Sequence, residues 1–131
     1  MIKNFKGQTI VEGEVKGEVL LSPQPLNFNC IDLSTGQVND KNNKLNGRSV
    51  AGKILVISSL LCNVDMWKLY RLGLRENRPL GLICVSFADD YTIVGSTLVN
   101  LPLIHLVSPD LLKFLQDRQL VKICKDSVLV C

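Results

Sequence analysis

Of the five cysteines in this chain, Cys62 has the setting that a reactive thiol needs. It stands directly before Asn63, a candidate helix N-cap, and a helix N-terminus stabilises a thiolate. Cys30 also lies in a loop. Cys84 and Cys124 lie inside apolar strands and read as small buried hydrophobes. With Cys131 the number is odd, and no two cysteines form a Cys-x-x-Cys pair. That argues against a disulfide framework and a zinc knuckle. Asp32, followed by Ser34 and Thr35, has the pattern of an Asx-type turn. Arg48 and Ser49 could face an anionic substrate, although a solvated loop is the simpler account. His105, the only histidine, sits in the apolar run LPLIHLV and reads as structural. Asp89 and Asp90 read as a turn and a helix cap, without metal-ligand partners at useful spacing. Trp67 reads as core or interface.

These residues need elements to hold them. TIVEGEVKGEVLLS predicts a hairpin-like pair of short strands around Gly13 and Gly17, ended by Pro23 and Pro25. Residues 26–52 form a loop region, whose polar centre NDKNNKLNG reads as a surface excursion. KILVIS is a buried strand. A helix follows, with Asn63 as N-cap, Asp65 in the first turn, and Met66, Leu69, Tyr70, Gly73 and Leu74 on one buried face. Lys68, Arg71, Arg75 and Glu76 take the other side, and Pro79 marks the stop. LGLICVSF is a second strand, Thr92–Asn100 a short helix and LPLIHLV a third strand. A last helix opens with Ser108 as N-cap, Pro109 at N1 and Asp110 at N2, and turns Leu111, Leu112 and Leu115 inward. VKIC-KDS-VLVC closes the chain as a β-hairpin. Strands alternating with helices, flanked by hairpins, predict a mixed α/β domain with a small central sheet or barrel and three helices.

The 131 residues fit one domain, 1–131, large enough to bury a real core. A hydrophobic share of 47% favours a buried face or a permanent partner. The net charge of +3 is scattered in ones and twos, which gives no nucleic-acid track. No apolar stretch approaches the ~20 residues of a membrane span, and no signal peptide is evident. A cytoplasmic location is expected.

Phe28, Ile31 and Asp32, then Thr35-Gly36, then Gly47, Ser49, Val50, Gly52 and Lys53 leading into a buried strand, form an ordered series. It resembles the small-subunit, or swivel-domain, family of aconitase X. The early Gly13-Glu14-Val15-Lys16-Gly17-Glu18-Val19 and the later Ile93-Val94-Gly95-Ser96 with Leu101-Pro102-Leu103-Ile104 also match, so the likeness runs from about Gly7 to the C-terminus. The resemblance implies a swivelling β/β/α fold, like the mobile domain of aconitase. It also implies a role as half of a hydro-lyase that dehydrates a small hydroxy acid such as phosphomevalonate. The partner would be an aconitase X-like large subunit. That subunit would hold an iron–sulfur cluster and most substrate ligands, with no cofactor on this chain. Asn29, Cys30, Asp32 and Ser49 would line the cleft. The subunit interface would form around Phe28, Asn29, Cys30 and residues 58–63.

The family donates a serine from a Gly-x-Gly-Ser loop between the buried strand and the next helix. Here that segment reads Ser58-Ser59-Leu60-Leu61-Cys62-Asn63, without glycine. The position of the catalytic serine falls at or beside Cys62, with Asn63 next. A second glycine pair, before Ile31-Asp32, is replaced by Asn29-Cys30. Three readings stand: Cys62 replaces the serine, the domain is a catalytically degenerate binding or regulatory module, or Cys62 is only packed.

Overall fold

The computed structural model describes residues 3–22, 24–58 and 66–131. Its strands are β1 (Lys3–Lys6), β2 (Gln8–Val11), β3 (Val15–Ser22), β4 (Ile54–Ile57), β5 (Gly81–Cys84), β6 (Leu103–His105), β7 (Leu120–Cys124) and β8 (Ser127–Val130). Three helices are interspersed: α1 (Met66–Gly73), α2 (Asp90–Leu98) and α3 (Asp110–Phe114). No helix among the described residues is long and apolar enough to cross a membrane.

The eight strands form one sheet in the order β1-β8-β7-β3-β4-β5-β6-β2. β3 to β6 run parallel, with α1 and α2 as the crossovers from β4 to β5 and from β5 to β6. The remaining pairings are antiparallel. β4 and β5 are buried on both faces, as their unbroken apolar sequences ILVI and GLIC require. Their period-2 alternation serves two cores. Leu55, Ile57, Leu82 and Cys84 point to one, which α1 and the 26–50 loop cover. Ile54, Val56 and Ile83 point to the other, which Leu111 of α3 and Leu115 just after it close.

The sheet nearly closes because its two edge strands are consecutive in sequence. β1 pairs with β8 and β2 with β6, and only Gly7 separates them. Gly7 donates its N–H to the Asp126 carbonyl at 2.9 Å. Thr9 Oγ1 donates to the Lys125 carbonyl at 2.7 Å across the same seam.

The expected N-terminal hairpin does not form. β2 joins β6, whereas β3 pairs with β4 and β7. Val19 and Leu20 are fully buried at the centre of the sheet, a burial that a two-stranded hairpin cannot supply. Gly13 passes so close to Pro102 that a Cβ would lie 2.5 Å from Pro102 Cγ, and the chain there crosses the sheet instead of turning back. The C-terminal hairpin is present as β7–β8, with Cys124 opposite Ser127.

Two further expectations change. On α1, Leu69 and Leu72 are buried and Gly73 abuts Val99, but Leu74 lies beyond the last helical residue and is exposed. The side chain of Met66, like Asn63 and Asp65, lies outside the described residues. The 39–47 loop is also more than a solvated excursion, because Asn43 and Leu45 are buried. The Asn43 amide donates to Ser22 Oγ and to the Pro25 carbonyl, each at 3.3 Å, and accepts from the Leu45 N–H at 2.8 Å. It thereby fastens the loop to the end of β3. Asp89 caps α2 by accepting the Thr92 N–H on Oδ1 at 2.7 Å. α3 starts one residue later than expected: Pro109 takes the N-cap position and Asp110 the first helical one, with Ser108 Oγ accepting from the Asp110 N–H at 3.4 Å.

Candidate functional site: a cleft at the carboxyl ends of the parallel strands

The chain leaves the carboxyl end of β3 and makes a 3₁₀ turn, Phe28–Cys30. Asn27 starts this turn by accepting the Asn29 N–H on its side-chain oxygen at 2.9 Å, and the buried Phe28 ring anchors it in the core. Ile31 then bridges antiparallel to Val38, and the Asn39 N–H donates to the Cys30 carbonyl at 2.8 Å. Between the two bridge positions Asp32 folds back on itself. Its Oδ1 accepts from the Ser34 N–H at 2.8 Å and from Ser34 Oγ at 2.6 Å, as an Asx turn requires. The turn is tied to the segment that follows α1, where Asn77 Nδ2 donates to the Ser34 carbonyl at 2.5 Å.

These elements enclose an open cleft of about 540 Å³ lined by Asn29, Cys30, Ile31, Asp32, Asn39 and Lys68, with Leu33 at its edge. The Ser34 hydroxyl and N–H hold the Asp32 carboxyl below the usual carboxylate range, helped by the Thr35 N–H and by the Lys68 charge. The cleft therefore offers a fixed carboxylate, an ammonium, two amides and the half-buried Cys30 thiol. A ligand carrying both an anionic group and a hydroxyl finds complementary partners there.

Lys68 is the residue that the sequence reading missed, because helical periodicity placed it on the solvent side of α1.

Asn29, Cys30 and Asp32 come together in this cleft. Ser49 does not join them. It lines a second cleft of about 480 Å³ with Glu18, Arg48, Ala51, Lys53 and Arg118. Ser49 Oγ donates to the Thr35 carbonyl at 2.9 Å and accepts from the Ala51 N–H at 3.1 Å, so it holds the Thr35–Gly36 turn in place. Arg48 is ion-paired with Asp117, and Lys53 with Glu18. Cys62, Asn63, Leu60 and Leu61 lie outside the described residues. Trp67 is half exposed, with its ring edge-on to Tyr70 at 5.8 Å.

The other candidate residues are structural. Cys84 is buried, and desolvation together with the Asp89 charge pushes its thiol up to about 12. Cys124 is only half buried. The buried His105 accepts the Ala88 N–H on Nδ1 at 3.1 Å, which assigns the ring proton to Nε2. Its ring stands edge-on to Phe87 at 5.6 Å.

Burial lowers the His105 pKa, so the folded chain keeps the ring neutral at pH values where the unfolded chain protonates it. The associated stability is fully present above about pH 6.5, the usual histidine value. It is lost as pH falls from there through the lowered folded value. Thermal unfolding between pH 7 and 5 should thus show a steeper loss of Tm for the natural chain than for His105→Asn, whose Oδ1 can take the place of Nδ1. Equal slopes would contradict this account of the ring.

A family model described as the aconitase X swivel domain matches residues 4–130. The chain belongs to the aconitase X swivel-domain family. This swivel domain is 31% identical over 121 residues to the phosphomevalonate dehydratase small subunit of Methanothermobacter thermautotrophicus, covering 91% of this chain and 92% of that one. It is 33% identical over 119 residues to the small subunit of the same name from Methanosarcina mazei, covering 89% and 82%. Among solved structures, the holo-form crystal structure of Thermococcus kodakaraensis aconitase X superposes with a TM-score of 0.89 at 28% identity, over 98% of both chains. A UPF0107 protein solved by NMR shares the fold, with a TM-score of 0.91 at 23% identity.

An iron–sulfur cluster needs several converging cysteine thiolates. Among the described residues, no group of three or more His, Cys, Asp or Glu is placed to hold a metal ion. The described donor set of this swivel domain does not fit a cluster.

Proposed function

We propose that this chain is the small, swivel subunit of an aconitase X-type hydro-lyase, acting with a cluster-bearing large subunit to dehydrate a small hydroxy acid of the phosphomevalonate type. The observation that carries the reading is the match in extent. The curated relatives named phosphomevalonate dehydratase small subunit align over 91% of this chain and 92% of their own length in the first case, so they are counterparts of the chain as a whole. The cleft supports the same reading. It is open on one side and presents a few polar groups but no metal-ligand set among its lining residues, as half of a composite site would.

In this reading the large subunit supplies the metal chemistry and most substrate contacts. This chain supplies the wall of Asn29, Cys30 and Asp32, with Lys68 facing an anionic group of the substrate. Cys62, at or beside the family's serine position, is the general base that takes a proton from the substrate carbon, and Asn63 follows it. The four described cysteines are free thiols, in agreement with a reducing, cytoplasmic setting.

The glycine-free segment 58–63 favours one second reading, a swivel-fold module that binds the large subunit or a ligand without chemistry. The isolated chain tests the proposal first. Purified alone, it should fold, carry no stoichiometric iron, show no cluster absorption in the visible range and dehydrate nothing. Iron at one or more per chain, with that absorption, would overturn the assignment of the cluster to the partner. A complex that forms but stays inactive on every hydroxy acid tried would favour the module.

A further inference from the structure

α2 is unusually small and polar on its buried side. Thr92, Gly95 and Ser96 are buried, with Ile93 partly buried against the core. Thr92 Oγ1 and Ser96 Oγ find no hydrogen-bond partner among the described residues. Its solvent side carries large apolar side chains beside the polar Asp90 and Thr97. Tyr91, Val94 and Leu98, spaced at i, i+3 and i+7, form one outward stripe, each at least 42% exposed. An isolated domain would favour the opposite orientation on both counts, and such conflicts between local and global preference concentrate at functional surfaces.

The stripe continues. Phe87, just before α2, is 74% exposed, and Trp67, the chain's single tryptophan, is half exposed on the neighbouring α1. Three of the seven aromatic side chains are thus at least half in solvent (Trp67, Phe87 and Tyr91). Phe87 and Tyr91 stand between the carboxyl end of β5 and the first turn of α2, and Trp67 stands on α1, the crossover from the adjacent β4. Lys68, a wall of the cleft, is the residue after Trp67. α1 therefore carries both a wall of the cleft and an exposed aromatic ring.

We propose that this surface, Phe87 and the Tyr91–Val94–Leu98 stripe with Trp67 at its edge, is where the large subunit docks. The proposal rests on the functional reading above, because a half-site must meet its complement along the rim of the cleft. Exposed aromatics clustered beside a site are the usual anchors of such an interface. The rim defines the partner's chemistry. Arg71, one turn after Lys68 on α1, and Arg75, just beyond the helix end, are exposed. The matching surface on the large subunit should be apolar opposite α2 and carry carboxylates opposite α1.

The test is the dissociation constant between purified large subunit and three forms of this chain: natural, Phe87→Ser/Tyr91→Ser, and Leu120→Ser. Leu120 is an exposed apolar control on β7, which β3 separates from the α1 and α2 crossovers. Binding of the double variant should weaken at least 100-fold with its Tm and circular dichroism unchanged, while Leu120→Ser binds like the natural chain. A double variant that binds within threefold of the natural chain would overturn the docking surface and leave the two-subunit reading intact. A natural chain that does not bind the large subunit would overturn both. A natural chain that self-associates through these residues, with large-subunit binding unaffected by the double variant, would reassign the surface to a second copy and also overturn the proposal.

Discussion

Replacing Cys62 with alanine is expected to lower kcat of the two-subunit complex by at least about 100-fold while the chain still folds and still binds its partner, the low end of what a general base contributes. The argument is positional and chemical. The family places its catalytic serine between the buried strand β4 and the following helix, and Cys62 stands at or beside that position. A thiol near a helix N-terminus ionises more readily than a free one and can accept a carbon-bound proton. Cys62→Ser, which restores the family's residue type, should keep part of the activity. Carboxymethylation offers an independent readout. Cys62 should react with iodoacetamide well before Cys84, whose burial pushes its thiol up to about 12 and leaves almost no thiolate near neutral pH. A fully active Cys62→Ala complex would remove the thiol from the mechanism. If Cys62 is only packed, alanine should affect stability alone, on the order of 1 kcal/mol.

The second large effect is on stability and falls at Gly7. A Cβ there would lie 2.6 Å from Val107 Cγ2 and 2.9 Å from the His105 carbonyl oxygen. The methyl of Val107 can yield, but the carbonyl belongs to β6, which β2 pairs with directly, and cannot move without disturbing that ladder. Gly7→Ala should therefore destabilise the chain by about 1–3 kcal/mol, as overpacking does, and lower Tm by roughly 5–10 °C for a chain of this size. Gly47→Ala makes a useful comparison. Gly47 has φ +86 with nothing within 4 Å of a built Cβ, so only local backbone strain opposes the substitution. Its effect should be the smaller one. A Gly7→Ala chain that unfolds within a degree or two of the natural one would mean that the seam between β1 and β2 is not tightly closed.

The sequence made some of this architecture readable and hid the rest for identifiable reasons. ILVI and GLIC are unbroken apolar runs, which only strands buried on both faces sustain, and both were legible. So was the hairpin β7–β8, where VKIC and VLVC flank a short polar turn. The pairing of β2 and β3 was not legible. Nearness in sequence favours a hairpin, and nothing local shows that Val19 and Leu20 belong at the centre of an eight-stranded sheet. Ser49 illustrates the same limit at the site. It stands 17 positions after Asp32 and belongs to the same run of matched residues. The bridges Ile31–Val38 and Gln37–Ser49 nevertheless turn it into a separate cleft. Lys68 was hidden by the reverse effect, because an amphipathic pattern separates a core side from a solvent side and does not register a cleft on the solvent side. Asn43 sits in a polar run, and only the fold shows that its amide closes the loop against Ser22 and Pro25.

The measurement that tests the central claim most directly is turnover by mixed and separate chains. This chain and its large subunit would be purified apart, the cluster of the large subunit kept intact, and loss of water from phosphomevalonate followed with each chain alone and with the two combined. The account predicts no turnover by either chain alone and turnover that rises with added small subunit to saturate at equal amounts. A large subunit equally active without this chain, or a combined pair that forms a complex yet never turns over, would contradict it.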